Sequence, residues 1–466
     1  MREKAQTQLH FVGIGGIGMS GIAEVFLNQG YRVSGSDLHE SDSTKRLKSL
    51  GATIALGHRT ENVQGAHVVV MSSAVRSNNP EIVEARRMRV PVIPRAEMLG
   101  ELMRGKTGVA VAGTHGKTTT TSMLATVLTV AGQDPTLVIG GKVDSLGGNA
   151  KLGQGEFVVA EADESDGSFL HLPATYGIVT NIDNDHLDHF GNLETIEKAF
   201  VDFVGKLPFY GLAAVCGDDR GVRRCLERFS KPYVTYGIEG EWDYVARDIE
   251  FRGLGSTFTV HHKIDGAYQK LGSVKLNVPG RHNVLNALAS IAIALNLGLS
   301  FDVASLALGA FHGVKRRFEV RWEDIAREQV VVDDYGHHPT EIAATLAAAR
   351  GYWKGRIIAI FQPHRYSRTL HCHEGFLSAF KDADLLFLTD IYAAGEDPID
   401  GVSSQSLADA IRSAVPAEKT VTYVGDLEKA RDQVSLIAQS GDLILCLGAG
   451  TITRLPDQLA ELLSAQ

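Results

Sequence analysis

Seven consecutive residues, Gly113-Thr114-His115-Gly116-Lys117-Thr118-Thr119, contain the parts needed to hold a chain of phosphates. Glycines let backbone N–H groups come close to phosphate oxygens. A lysine at this place reaches the β- and γ-phosphates, and the hydroxyl after it suits Mg²⁺. The whole run Gly113 to Thr119 is therefore the expected nucleotide loop, with Lys117 as its catalytic cation and Thr118 as a metal ligand. The loop is a shortened variant, because the position five residues before Gly116 is Val111 rather than glycine.

Two further residues stand where metal ligands would be expected. Glu161 ends an apolar run, Phe157–Ala160, and His186 lies just beyond a second, Gly177–Asn181. Ligands of parallel sheets collect at the carboxyl ends of strands, so both should face the phosphate loop if their strands flank Gly108–Ala112. A carboxylate oxygen suits Mg²⁺; a histidine is a less usual ligand for it and points to a second metal or a bridge. The run Glu161-Ala162-Asp163-Glu164-Ser165-Asp166 is densely acidic, and such runs are commonly solvated loops. Burial is expected for Glu161, less so for Glu164 and Asp166.

An earlier turn, Gly13-Ile14-Gly15-Gly16-Ile17-Gly18, has the form G-x-G-x-x-G between a strand and a helix. A diphosphate can rest on such a helix N-terminus, held by Gly15, Gly16, Ile17 and Gly18. Asp37 ends the next strand and can accept hydrogen bonds from a sugar or base. NAD and UDP both carry a diphosphate, and no hydride-accepting site is identifiable. Late in the chain, Asp333-Asp334-Tyr335-Gly336-His337-His338-Pro339 and Gln362-Pro363-His364-Arg365-Tyr366-Ser367-Arg368 each follow a buried strand, and Arg316 and Arg317 precede both. Arginines in such places bind carboxylate or phosphate through two parallel hydrogen bonds.

All these groups need a scaffold that ends strands side by side. Short apolar runs alternate with helix-length segments throughout, the βαβ rhythm of parallel sheets covered by helices. The rhythm restarts twice. Strands are predicted at Leu9–Val12, Arg32–Ser36 and Val68–Met71 in a first block, and at Gly108–Ala112, Phe157–Ala160 and Gly177–Asn181 in a second. Three alternating segments between Trp242 and Asn277 suggest an antiparallel addition to the second block. A third block holds Val330–Asp333, Arg356–Phe361, Leu385–Thr389, Thr420–Val424 and Leu443–Leu447. The expected fold is α/β in three domains: a Rossmann-like domain over residues 1–104, a P-loop-type domain with a mixed sheet over 105–312, and a second Rossmann-like domain over 313–466.

Composition narrows the function classes. The 466 residues are 44% hydrophobic and 22% charged, which is globular rather than disordered. With 55 acidic and 46 basic residues the formal charge is -9, so no broad basic field draws the chain to nucleic acid. Four scattered cysteines form no C-x-x-C pair, which argues against a structural zinc site and fits a reducing cytoplasm. No signal peptide is read at the start. The longest apolar stretch, Ala287–Leu299, is too short to span a bilayer.

Taken in order, the motifs resemble the Mur ligases, ATP-dependent amide-forming enzymes of peptidoglycan precursor synthesis. The resemblance rests on G-T-H-G-K-T-T, A-E-A-D-E-S-D, N-D-H-L-D, the run Pro279-Gly280-Arg281-His282-Asn283-Val284-Leu285-Asn286-Ala287, D-D-Y-G-H-H-P-T-E and F-Q-P-H-R-Y-S-R, and extends from Leu9 to about Leu455. It implies a first domain for a UDP-sugar, a middle domain for ATP and a third that closes over both. It assigns Thr118, Glu161 and His186 to the metals, Mg²⁺ or Mn²⁺. It places Asn286, Arg317 and Asp334 near the nucleotide, and Asp37, His58, Ser72 and Ser73 near the uridine diphosphate. It places His364, Arg365 and Arg368 near the incoming amino acid and the transferring phosphate, with His186 or a water taking the amine proton. The member most similar in its motifs adds L-alanine to UDP-N-acetylmuramate. That implies a cytoplasmic enzyme, a monomer or weak homodimer, without nucleic-acid or membrane partners. The alternatives are a relative that attaches a whole tripeptide to the same UDP-sugar, and an NAD-binding regulatory protein. Some relatives carry a carbamylated lysine; Lys198 has the wrong spacing from His186 and is not assigned that role.

Overall fold

The structure, a computed structural model, describes residues 3–72, 74–143, 148–165, 167–185, 187–416 and 418–465. The chain divides into two compact units. The first comprises Met1–Arg247, Thr259–Val274 and Leu285–Gly309, and the second Asp248–Phe258, Lys275–Val284 and Ala310–Gln466.

The first unit opens with five parallel strands: β1 (Gln8–Val12), β2 (Arg32–Asp37), β3 (Thr53–Leu56), β4 (Val68–Met71) and β5 (Val92–Pro94). Their order is β3-β2-β1-β4-β5. Chain direction across the sheet reverses at β1, and the Gly13–Gly18 turn lies at that switch point. Helices α1 (Ile17–Asn28), α2 (Asp42–Ser49), α3 (Pro80–Arg87) and α4 (Arg95–Met103) join the strands. Local chemistry fixes their starts. Ser41 and Thr44 form a capping box before α2, and Asn79 caps α3 with Pro80 in its first turn.

A second sheet of ten strands follows, in the order β15-β14-β13-β12-β11-β10-β6-β9-β7-β8. These are β6 (Thr107–Ala112), β7 (Thr136–Val143), β8 (Gly148–Lys151), β9 (Phe157–Glu161), β10 (Tyr176–Val179), β11 (Leu212–Cys216), β12 (Tyr233–Gly237), β13 (Tyr244–Arg252), β14 (Gly255–Ile264) and β15 (Ala267–Leu276). Strand β6 is central and fully covered, which explains its unbroken Gly-Val-Ala-Val-Ala run. It pairs in parallel with β9 on one side and β10 on the other, so the two strands predicted to carry metal ligands do flank it. Helix α5 (Lys117–Val130) leaves the end of β6.

The two sheets of this unit share one apolar core that includes Ile22 and Val25 of α1 with Ala110 of β6 and Ala160 of β9. Helix α1 lies on the β7–β8 hairpin. A Cβ on Gly21 would sit 3.2 Å from the Ala150 methyl, and Asn149 Nδ2 donates to Ile17 O at 2.9 Å. The expected division near residue 104 therefore falls between two sheets joined by a common core.

A third sheet, wholly within the second unit, has six strands: β16 (Glu319–Asp324), β17 (Gln329–Asp334), β18 (Ile357–Phe361), β19 (Leu385–Thr389), β20 (Thr420–Gly425) and β21 (Leu443–Leu447). Their order is β16-β17-β21-β18-β19-β20, parallel except for the β16–β17 pair. Strands β17, β18 and β21 are buried at every residue. Among the described residues no helix is long and apolar enough to cross a membrane.

Candidate active site

The loop after β6 is clamped by the residues that follow β10. Thr180 Oγ1 donates to His115 O at 2.6 Å. Asn181 makes a reciprocal pair with the backbone of the same residue, donating to His115 O at 2.9 Å and accepting from His115 N at 2.8 Å. Asp183 N donates to Thr114 Oγ1, and His115 Nε2 donates to Asp183 Oδ2, each at 2.9 Å. The backbone could not take this course with side chains on it. Gly113 has φ 135°, and a Cβ there would stand 1.9 Å from Thr180 Oγ1. Gly116 has φ 81°, and its Cβ would stand 2.9 Å from Asn286 Oδ1, on the helix Arg281–Asn296. Asn286 thus reaches the loop. Helix α5 is rich in threonine yet buried. Thr121 and Ser122 meet this by donating to the carbonyls of Lys117 and Thr118 one turn earlier, at 2.8 and 2.7 Å.

Lys117 is folded onto its own loop. Its Nζ donates to Gly113 O at 2.6 Å and Thr114 O at 2.9 Å, and lies 2.9 and 2.8 Å from the two carboxylate oxygens of Glu164. Glu164 is only 2% exposed, so the acidic run is not a solvated loop at this residue, contrary to the expectation from charge density. Burial pushes its carboxyl up to about 7, against the opposing pull of Lys117. Each described acid of the run holds a separate partner. Glu161 Oε2 accepts from Gly140 N at 2.9 Å, Asp163 Oδ2 accepts from Arg95 Nη2 at 2.9 Å, and Glu164 takes Lys117. Glu161 stands opposite Val111 in the β6–β9 register, beside the phosphate loop. His186, Ser73 and Asp166 lie outside the described residues. Lys198 is exposed and paired with Asp202 at 2.6 Å.

At the first glycine turn, Gly15 N donates to Asp37 Oδ2 at 2.8 Å, and Ser72 Cβ is 3.5 Å from where a Cβ on Gly13 would be. The turn, Asp37 and Ser72 are therefore brought together. His58 Nδ1 is 3.0 Å from Ser36 Oγ. That hydroxyl donates at 2.6 Å to Glu81, a fully buried carboxylate that also accepts from Asn62 Nδ2 at 2.5 Å. Burial would raise the Glu81 pKa, but His10, Ser36 and Asn62 together outweigh it and hold it at about 2.

In the second unit the sequence-predicted polar groups gather at the carboxyl ends of β17 and β18. Arg368 Nη1 donates to His364 Nδ1 at 3.2 Å, and the His364 ring stacks on Tyr392 with centroids 5.7 Å apart. The His337 ring meets His364 edge-on at 5.5 Å. Burial pushes His337 down to about 3, so it is neutral at ordinary pH. Arg365 (φ 69°) lies 3.9 Å from Glu396, which also accepts from Ser367. Arg317 donates to Glu341 at 3.2 Å and covers the Tyr335 ring at 5.1 Å. Asp334 is buried and turned onto main chain, accepting from Phe318 N and Gly336 N, both at 2.7 Å. Burial raises its carboxyl to about 6.

Sequence reasoning did not single out Arg95, Asn181 or Asp183, and it underrated Glu164. For Asn181, Asp183 and Glu164 the signal was available, since each lies within four residues of a strand end beside β6. Arg95 carried none.

Three family models match in order: "Mur ligase family, catalytic domain" over residues 8–107, "Mur ligase middle domain" over 111–294, and "Mur ligase, glutamate ligase domain" over 316–450. A protein of Geotalea daltonii named UDP-N-acetylmuramate–L-alanine ligase is 54% identical, covering 97% of each chain. Among solved structures, the UDP-N-acetylmuramate-alanine ligase of Thermotoga maritima aligns with a TM-score of 0.82 at 32% identity, over 98% of this chain and 99% of that one. A murein peptide ligase from Psychrobacter arcticus aligns with a TM-score of 0.71 at 26% identity, covering 99% of each chain.

Proposed function

The chain belongs to the Mur ligase family, and from that premise we propose that it joins L-alanine to the lactyl carboxylate of UDP-N-acetylmuramate, coupled to cleavage of ATP. The observation that carries this reading is the full-length similarity to a protein of that name. The greater similarity to the alanine-adding structure than to the murein peptide ligase favours alanine over a tripeptide. The same full-length similarity disfavours the NAD-binding alternative.

A carboxylate resists an amine because its charge repels the lone pair and oxide does not leave. Transfer of the γ-phosphoryl group to the lactyl carboxylate gives an acyl phosphate and ADP. The amine of alanine then adds to the carbonyl carbon, and the tetrahedral intermediate collapses with the C–O electron pair leaving on phosphate. Lys117 is assigned to the β- and γ-phosphates, where its charge offsets what develops in transfer. To do so its Nζ must leave at least part of the Gly113, Thr114 and Glu164 cradle. Backbone N–H groups of Gly116, Lys117 and Thr118 complete the phosphate cup, and the N-terminus of α5 adds its dipole.

Thr118 and Glu161 fit Mg²⁺: both donors are oxygens, Thr118 in the first turn of α5 directly after the loop and Glu161 at the end of β9, the strand that pairs with β6. When bound, that ion would supply charge neutralisation at phosphate oxygens. Asn286 and Arg317 are assigned to the nucleotide, with Asp334 holding the Arg317 turn through the Phe318 amide. Arg368, oriented by His364, is assigned with Arg365 to the carboxylate of alanine and the transferring phosphate. Gly15 to Gly18, Asp37, His58 and Ser72 are assigned to the uridine diphosphate. The reaction is placed in the cytoplasm, where ATP and sugar nucleotides occur together.

The test is ADP release from ATP in the presence of UDP-N-acetylmuramate, L-alanine or both. Release is expected only with both acceptor substrates. Equal release with either alone, or preference for the tripeptide over alanine, overturns the assignment.

A further inference from the structure

The first glycine turn has a charge deficit. Gly13 to Gly18 contain no cationic side chain, yet a diphosphate brings two negative charges to them. A helix N-terminus offers only about half a positive charge. The structure supplies a cation from elsewhere in the fold. Arg95 opens α4 directly after β5 ends at Pro94, so it too stands at the carboxyl end of a strand. Its side chain is 18% exposed rather than solvated. A Cβ on Gly18 would lie 2.7 Å from Arg95 Nη1 and 3.4 Å from its Cζ. The last glycine of the turn thus leaves the space that a guanidinium fills. Arg95 Nη2 donates to Asp163 Oδ2 at 2.9 Å, and Asp163 Oδ1 accepts from Ser165 N at 3.1 Å, which holds the carboxylate in turn. One guanidinium therefore touches the acidic run and the turn together.

Resting on the reading above, we propose that Arg95 is a substrate-binding residue that neutralises the diphosphate of the sugar nucleotide, and that Asp163 is the positioning residue that holds its guanidinium against the turn. A planar fork suits this task, since it can donate to Asp163 from one side and to phosphate oxygens from the other.

The test titrates uridine, UDP, UDP-N-acetylmuramate and ADP into the wild-type chain and into Arg95→Ala, Arg95→Lys, Asp163→Asn and the Arg95→Ala/Asp163→Asn double variant. Steady-state KM and kcat are measured in parallel. Arg95→Ala is expected to weaken UDP and UDP-N-acetylmuramate alike, by roughly 10- to 100-fold, the scale of a lost charged hydrogen bond. Uridine and ADP should stay within about twofold, and the loss should appear in KM for the sugar nucleotide rather than in kcat. Arg95→Lys should lose less. Asp163→Asn should weaken UDP in the single variant and add nothing once Arg95 is gone. UDP bound as tightly by Arg95→Ala as by wild type makes the pair a mere strut and overturns the proposal. Weakening of UDP-N-acetylmuramate without UDP also overturns it, because the arginine then reads the lactyl carboxylate. If Arg95→Ala does not fold, Arg95→Lys decides by the same UDP titration. Failure of the wild-type chain to bind either uridine nucleotide would instead sink the ligase reading itself.

Discussion

Single side chains carry the chemistry, and their surroundings say how each should behave. Lys117→Ala should cut ADP release by roughly 10²–10³-fold or more, the scale for one preorganised donor to a transferring group. It should also leave Glu164 buried without its cation, so thermal melting must be compared alongside turnover. Glu81 gives a prediction in pH. Its pKa of about 2 lies below the ordinary 4.5. A depressed carboxylate stabilises the fold above the unfolded value and stops doing so as acid is added. Denaturant melts of the ligand-free chain should therefore show stability falling between about pH 4.5 and 2. Glu81→Gln should cost about 1–3 kcal/mol at pH 7 and flatten that acid limb. At this scale legibility followed position. Lys117, Thr118 and Glu161 were readable because each sits at a fixed offset from a strand end. Glu164 was undervalued because charge density gives no sign of a buried cation nearby. Arg95 was invisible because its partners, Gly18 and Asp163, are 77 and 68 residues away in sequence, arithmetic that no local window performs.

Secondary-structure elements decide where those side chains stand. The phosphate loop keeps its course only because Thr180 and Asn181, beyond β10, grip the His115 peptide. Gly113→Ala should abolish nucleotide binding, measured by ADP titration, since the added methyl meets Thr180 and the backbone conformation is one alanine rarely adopts. Gly113→Ala combined with Thr180→Ala should recover less than the full affinity, because removing the hydroxyl relieves the collision but not the backbone strain. Buried parallel strands were plain in the sequence: Val68–Met71, Leu385–Thr389 and Leu443–Leu447 coincide with β4, β19 and β21 residue for residue. Other strands were not. Edge strand β3, Thr-Ile-Ala-Leu, is nowhere fully buried and so lacks an apolar run. Strand β11, Leu-Ala-Ala-Val-Cys, is alanine-rich, and alanine is a helix former. The β7–β8 hairpin runs through glycines that read as a loop.

The architecture of the whole chain, α/β with a parallel first sheet, a mixed middle sheet and a largely parallel third, was legible because the rhythm of strand and helix restarts at each sheet. The shared core of the first two sheets was not, since nothing local marks which face of α1 meets β8. A ligand that binds only the folded state raises stability by an amount set by its concentration over its Kd, about 2.7 kcal/mol at a hundredfold excess. ADP and UDP-N-acetylmuramate should each raise the melting temperature, and Lys117→Ala should blunt the response to ADP while sparing that to the sugar nucleotide. Removing divalent cations with a chelator should stop turnover, and Mg²⁺ should restore it. Gly113 has a medical corollary. Any residue with a side chain at that point collides with its neighbour, so the course of the main chain there cannot be remodelled by point mutation without loss of the loop. A small molecule that leans on that stretch of main chain would face a target bacteria have little room to alter, and resistance would have to arise at its periphery or through export.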